Sequence, residues 1–406
     1  MWRPNRPFGR LWRKLDPTGP GGLLVAALAG MYGVSIANLL PSYVDAWIHH
    51  MGISERTAGE IATVNMLAHA TGLCATLRLA TRWSLPRIAY TGLLLGVTGD
   101  LASACSQSLW VLAPCRALSG VGLGLQFGAI LNWFSRNSNS TRGFGLYALL
   151  QFLFSAVFFV VLPPLESTIG ASAIYLGVMP FALLAGMCLG VLDLNGGSVP
   201  LGRVDCGVDA HARQAASPDG LLRFLAVLAF AAFNIAAMGT WAFMQQFGES
   251  TGLSPQQASR SLALCSLTGI VGGLTVIAAG SRFGRLAPLL ITLSVFAFPF
   301  AFFSFADPSP RIFVIGQLFI GLTWTMIIPY FEDVQSALDR SGRLTVLGMM
   351  TATLSAAAGP WAFGLLLGRE RQYGLAFALA LLTFALSALC SIHPAKVADA
   401  RTARPV

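Results

Sequence analysis

The chain is predicted to be an all-α membrane protein, with twelve transmembrane helices in two pseudo-symmetric six-helix halves. Three observations predict this. First, 55% of its 406 residues are hydrophobic and only 11% are charged, where a soluble globular protein carries roughly 25%. In water, so much apolar side chain would leave large sticky patches. Second, the apolar residues gather into twelve runs of roughly spanning length, about 20 residues each. They lie near 20–47, 54–77, 86–105, 109–134, 142–163, 171–192, 220–246, 255–279, 286–305, 310–333, 343–367 and 372–392. Transmembrane strands would instead alternate over about 10 residues. Third, the chain carries a faint copy of itself at an offset of about 200 residues. Gly52-Ile53-Ser54 recurs as Gly252-Leu253-Ser254, Ala58 as Ala258, Gly72 as Gly272, and Thr81-Arg82-Trp83 as Ser281-Arg282-Phe283. One residue further on, Ser140 and Arg142 match Ser341 and Arg343. Duplicated membrane domains are how many secondary transporters are built.

Taken in order, residues 1–14 carry five basic residues ahead of the first apolar run. That run is longer than a signal-peptide core, lacks a small-x-small cleavage pattern and is followed by many similar runs, so it is expected to be a retained helix after a cytoplasmic tail. The first segment offers Tyr32, Ser35 and Asn38, with Asp45 near its end beside His49 and His50. Asp45 is a site of proton uptake or an ordinary interfacial residue. The second segment carries Asn65 and His69 four residues apart on one face. His69 is expected to bind substrate, to titrate, or to donate to a backbone carbonyl of another helix. The third segment holds Asp100 and the fourth Arg116. Arg116 lies about seven residues into its helix, hence roughly 10 Å deep at 1.5 Å per residue. Buried charges of this kind default to a functional role with a partner. The two are expected to pair, either as a static ion pair or as a carboxylate whose protonation is coupled to transport.

The fourth segment also has Gln126, and the fifth has a polar stripe of Tyr147, Gln151 and Ser155. After the sixth, the longest hydrophilic stretch reads as a linker, rich in Gly and Pro. The expected organisation is therefore a first half at 1–193, a cytoplasmic linker at 194–219 and a second half at 220–406. The seventh segment has a stripe of Asn234, Met238, Trp241 and Gln245, and the tenth has Gln317 and Trp324. Such stripes line a cavity or join helices to one another. Glu332 and Asp333 close the tenth segment near Arg340 and Arg343. With Arg82, Arg282 and Arg285 they are candidates for a cytoplasmic salt-bridge gate, or else form a solvated loop cluster.

The net charge of +9 follows the positive-inside bias rather than a nucleic-acid surface. With the N-terminus inside, about twenty basic residues lie inside, and Arg56, Arg260, Arg311, Arg369 and Arg371 lie outside. The seven Cys are scattered without zinc-like spacing, mostly in apolar runs. Cys105 and Cys115 flank one short loop and are near enough in sequence to pair. No metal, cofactor, phosphate-binding loop or catalytic cluster is expected, so the chain is not read as an enzyme or an ATP-driven pump.

Three local motifs carry a family resemblance. Ser281-Arg282-Phe283-Gly284-Arg285, with Thr81-Arg82-Trp83-Ser84-Leu85 and nearby Arg87 in the first half, resembles the loop of the major facilitator superfamily between helices 2 and 3. The acidic position of that loop is Thr81 and Ser281 here. Arg116-x-x-x-Gly120-x-Gly122-x-Gly124 is similar to a fourth-helix pattern of its proton-coupled families, and Gly359-Pro360 with Gly364 resembles a Gly-Pro kink. The likeness, six plus six helices with both termini inside, covers essentially the whole chain. It implies a secondary active transporter that moves a small organic solute by alternating access, coupled to protons through Arg116, Asp100, His69 or Asp45. It also implies a cavity lined by helices 1, 2, 4, 5, 7, 8, 10 and 11. Tyr32, Asn38, Asn65, Gln126, Gln151, Asn234, Trp241, Gln245, Gln317 and Trp324 are the candidates for that lining. The expected partners are the lipid bilayer and a small-molecule substrate, with the chain a monomer in a bacterial inner membrane. A transporter-like receptor or sensor, or a drug-type efflux antiporter, is the alternative.

Overall fold

The computed structural model describes residues 15, 19–106, 108–135, 140–194, 218–280, 282–305, 309–339, 343–367 and 373–402. The linker residues 195–217, the tail residues 1–14, and Ser281, Arg340, Arg369 and Arg371 lie outside the described residues. The described chain is helical: α1 Pro20–Asn38, α2 Leu40–Met51, α3 Glu55–Leu79, α4 Leu85–Ala104, α5 Leu109–Ser135, α6 Ser140–Ile169 and α7 Ser172–Val191 in the first half. The second half has α8 Pro218–Ala242, α9 Met244–Ser250, α10 Pro255–Ala279, α11 Leu286–Phe305, α12 Pro310–Leu338, α13 Arg343–Leu367 and α14 Tyr373–Thr402. Ten of these helices are long and apolar enough to cross a membrane. Helices α3 and α4, 25 and 20 residues long, are also long enough to cross, and they turn Asn65 and Asp100 toward Arg116 on α5.

The fourteen helices make twelve segments because the first and seventh are broken. The first breaks at Leu39 (φ −103°, ψ 15°) and the seventh at Phe243 (φ −110°, ψ 13°). At the first break Pro41 enters the helix without an N–H, so the carbonyl four residues back, that of Ala37, loses its helical donor. The repeat is also kept at the next turn. Gly52 and Gly252 both have positive φ (65° and 95°), a backbone that glycine alone adopts at no steric cost. Ser54 and Ser254 then cap α3 and α10, each accepting from a backbone N–H three residues on. The offset between halves is therefore 200 at the caps and 204 at the breaks.

The halves pack as matched helix pairs, α3–α5 and α4–α5 in the first, α10–α12 and α11–α12 in the second. Across the halves α3 lies on α13 and α6 on α10. The α3–α13 crossing is close because Gly59 faces the carbonyl of Pro360, and a side chain at 59 would strike that backbone. Thr63 Oγ1 accepts from the N–H of Trp361 at 3.0 Å in the same crossing.

Candidate functional site

The first half encloses a charged centre. Arg116 on α5 donates through Nη1 to Asp100 Oδ1 on α4 at 2.6 Å, and both side chains are fully buried. Its Nε and Nη2 donate to Asn65 Oδ1 on α3 at 3.2 and 2.7 Å, while Asn65 Nδ2 donates back to the Arg116 carbonyl at 2.6 Å. Asp100 also accepts from Ser119 Oγ and from Tyr32 OH, each at 2.7 Å. The guanidinium lies over the rings of Tyr43 on α2 (4.8 Å) and Tyr175 on α7 (5.4 Å), where a desolvated cation gains from the ring quadrupole. Trp47 Nε1 holds Tyr175 OH at 2.6 Å. Helices α1, α2, α3, α4, α5 and α7 therefore meet on one ion pair. His69 belongs to a neighbouring contact: its Nε2 donates to the Gly33 carbonyl on α1 at 3.1 Å, and its ring stacks on Phe127 at 5.8 Å. Gln126 bonds through Nε2 to the Ala29 carbonyl.

The second half fills the same place with aromatic rings. Gly120 packs on the Asn65 carbonyl, and Gly321 packs on the Cys265 carbonyl. That register sets Gln317 opposite Arg116 and Cys265 opposite Asn65. Helix α11, the counterpart of α4, has no charged residue; Phe296, Phe300 and Phe303 occupy it. Phe247, equivalent to Tyr43, packs on Phe377 at 4.5 Å. Gln317 is fully buried, and neither of its amide atoms has a hydrogen-bond partner among the described residues.

Between the halves the remaining cavity candidates separate by exposure. Asn38, Gln151, Asn234 and Trp324 are partly exposed, whereas Tyr32, Asn65, Gln126, Gln245 and Gln317 are buried. Trp241 joins the halves: its Nε1 donates at 3.2 Å to the Ala37 carbonyl, the one released by Pro41. Its ring meets Phe159 on α6 at 6.0 Å and Trp324 on α12 at 5.8 Å. Asn38 Nδ2 donates to the Gln151 carbonyl at 3.4 Å and Asn234 Nδ2 to the Phe230 carbonyl at 2.9 Å.

Toward the α2–α9 end the halves touch again. Gln246 Nε2 donates to Asp45 Oδ1 at 2.9 Å, and His49 lies 2.9 Å from Asp45 and 3.4 Å from Glu249. Gln245 Nε2 donates to Glu249 at 2.9 Å. At the opposite end Arg285 pairs with Asp333 at 2.9 Å and reaches Asp399 at 3.7 Å. Asp399 also accepts from the backbone N–H groups of Arg285 and Leu286, at 2.9 and 3.2 Å, and so caps α11 from the end of α14. These pairs connect α11, α12 and α14, all within the second half. Arg82 and Arg282 are exposed, and Glu332 is partly exposed. Cys105 and Cys115 are both free.

Sequence reasoning did not single out Tyr43, Trp47, Tyr175, Ser119, Gln246, Glu249 or Asp399. A signal existed for Glu249. Counted from the two helix breaks it is the repeat partner of Asp45, which the offset of 200 conceals.

A comparison with characterised protein sequences finds no match. The family model described as "Major Facilitator Superfamily" matches residues 23–360. Among solved structures, the nucleoside transporter NupG is similar with a TM-score of 0.73 at 15% identity, covering 95% of this chain and 100% of its own. A D-xylose-proton symporter is similar with a TM-score of 0.69 at 14% identity, covering 90% and 95%. A peptide transporter POT is similar with a TM-score of 0.71 at 15% identity, covering 95% and 97%. With its broken, duplicated helix halves and a match over most of its length, the chain belongs to the Major Facilitator Superfamily of multi-pass membrane transporters.

Proposed function

We propose that this protein moves a small organic solute across the membrane by alternating access, driven by a proton gradient. The observation that carries this is the placement of Asn38, Gln151, Asn234 and Trp324. They are polar or aromatic, sit near the middle of their segments and stay partly exposed, and Trp324 lies against Trp241, which bonds across to the first half. An amide ring of this kind recognises hydroxyl, carbonyl or amine groups, and the two Trp rings take a planar or apolar part of the solute. The halves 1–193 and 220–406, joined by the linker 194–219, rock about this site. Charge counting favours the Asp45 end outside and both termini in the cytoplasm, and the location proposed is a bacterial inner membrane. On that orientation the bonds Trp241–Ala37 and Gln246–Asp45 describe the form closed to the outside.

The structural neighbours support solutes of this class, because their names specify a nucleoside, a pentose and a peptide. One of them is a proton symporter by name. Arg116, Asp100, His69 and Asp45 are proposed to respond to the proton, and Arg82, Arg282, Arg285, Glu332 and Asp333 to order the cytoplasmic end. The test is uptake into proteoliposomes loaded with a pH-sensitive dye, using a panel of nucleosides, pentoses and dipeptides. A transported solute should acidify the lumen, and Asn38→Ala and Trp324→Ala should each reduce uptake. Uptake that persists unchanged after the pH gradient is dissipated removes the proton. Uptake unaltered in both variants removes the solute site.

A further inference from the structure

We propose that Asp45, His49 and Glu249 form a proton-binding site shared by the two halves, and that protonation of His49 closes the transporter at this end. The repeat brings the two carboxylates together. Asp45 stands six residues after the break at Leu39, and Glu249 six residues after the break at Phe243. Equivalent residues meet where the halves touch, and here both are acidic. His49 stands between them, 2.9 Å from Asp45 and 3.4 Å from Glu249, with ligand atoms of all three within 4.8 Å of one another. Asp45 and Glu249 side chains are 10% and 15% exposed, and the imidazole is 47% exposed. The carboxylates are thus largely removed from water, and the base between them remains open to it.

The surrounding charges sharpen the effect. Glu166, at the end of α6, lies in electrostatic reach of Asp45, Glu249 and His49, and its Oε1 is buried without a hydrogen bond. On α3, Arg56 pairs with Glu60 rather than with the cluster, and Glu55 beside it is a further carboxylate. From α5, Arg116 lies over Tyr43 and is bonded to Asp100 and Asn65. Tyr175 on α7 is bonded to Trp47, and Tyr32 on α1 to Asp100. His50 on α2 and Arg260 on α10 are exposed. Gln246 and Gln245 give neutral donors to Asp45 and Glu249.

Closing this end therefore brings two carboxylates, one from each half, onto one imidazole. With His49 neutral the negative charges of Asp45 and Glu249 repel each other in a poorly solvated place. With His49 protonated, a cation sits between Asp45 and Glu249 and attracts both. The closed form binds the proton more tightly than the open form, so by linkage the proton favours closure. Acid on the outer face then drives the protein toward the form that opens inward. This inference rests on the alternating-access reading above.

Spin labels on Met51→Cys and Thr251→Cys, in full-length protein lacking its native cysteines, test it by distance measurement in lipid nanodiscs. The closed-to-open ratio should rise about tenfold as the pH falls from about 8 to about 5, the range in which an imidazole takes up its proton. His49→Gln should abolish that response and leave the end open. His49→Lys should hold it closed at every pH. Glu249→Gln should favour closure at pH 8 and flatten the response. A ratio that ignores pH in the unmodified sequence, or a pH response retained in His49→Gln, overturns the proposal. If solute changes the distance and pH does not, alternating access stands and the proton site falls. If neither changes it, the alternating-access reading fails as well.

Discussion

Removing either member of the Arg116–Asp100 pair should destabilise the first half far more than removing both. The pair has no water to fall back on, since both side chains are fully buried. In Asp100→Asn the guanidinium keeps Asn65 and the rings of Tyr43 and Tyr175 but loses the one carboxylate bonded to it among the described residues. In Arg116→Gln the carboxylate keeps two hydroxyl donors, Tyr32 and Ser119, and no cation. Breaking a buried pair from one side costs about 3–5 kcal/mol. For a unit of about 150–250 residues, which each half approaches, 1 kcal/mol moves the midpoint by about 2–4 °C. Each single variant should therefore unfold about 6–20 °C lower than the parent in a detergent thermal melt followed by circular dichroism. The double variant Arg116→Gln with Asp100→Asn leaves two neutral amides within reach of the same hydroxyls and Asn65. It should recover most of that loss, so the coupling in a double-mutant cycle should exceed either single loss, at about 5 kcal/mol or more. Single variants within about 2 °C of the parent, or strictly additive losses, would refute the reasoning.

The second half offers the converse. Gln317→Leu removes an amide that is buried with no hydrogen bond among the described residues, and should raise the melting midpoint, reflecting a gain of about 1–3 kcal/mol; a lower midpoint would show that the amide has a partner in the working protein. Trp241→Phe leaves the Ala37 carbonyl without the donor that replaces the missing N–H of Pro41. Cysteine reagents should then reach Asn38→Cys more readily from the α2–α9 end, and unchanged labelling would show that the bond does not seal the halves. Asp399→Ala removes the cap on α11 together with one carboxylate near Arg285, and should cost about 0.5–2 kcal/mol in thermal stability. Asp399→Glu should restore part of it, and a neutral Asp399→Ala would leave the cap without energetic meaning.

Much of this was legible because a bilayer enforces it. Backbone groups in lipid must bond within their own helix, so run length and composition alone marked the segments. Polar residues in those runs are costly, so Asp100, Arg116, Asn65 and Tyr32 each stood out. Their grouping was less visible. Asp100 and Arg116 are neighbours across a short loop, but Tyr32, Tyr43 and Tyr175 reach the pair from three other helices and carry no periodic mark. Tyr43 and Trp47 look like ordinary interfacial aromatics until the break at Leu39 turns α2 inward. The second-half loop lacks its acidic residue in sequence, yet Asp399 brings a carboxylate to Arg285 from more than a hundred residues away.

The sequence by itself determined the solvent, the number of segments and the duplication, because each follows from local composition and short-range repetition. Tertiary structure decided which of the equivalent positions became a sealed ion pair and which an aromatic core. It also decided that Trp241 answers the carbonyl freed by Pro41, and that Asp45 and Glu249 meet. Those outcomes depend on the crossing of helices far apart in the chain, where a few ångströms decide whether a charge finds its partner, and no local pattern of residues encodes that distance.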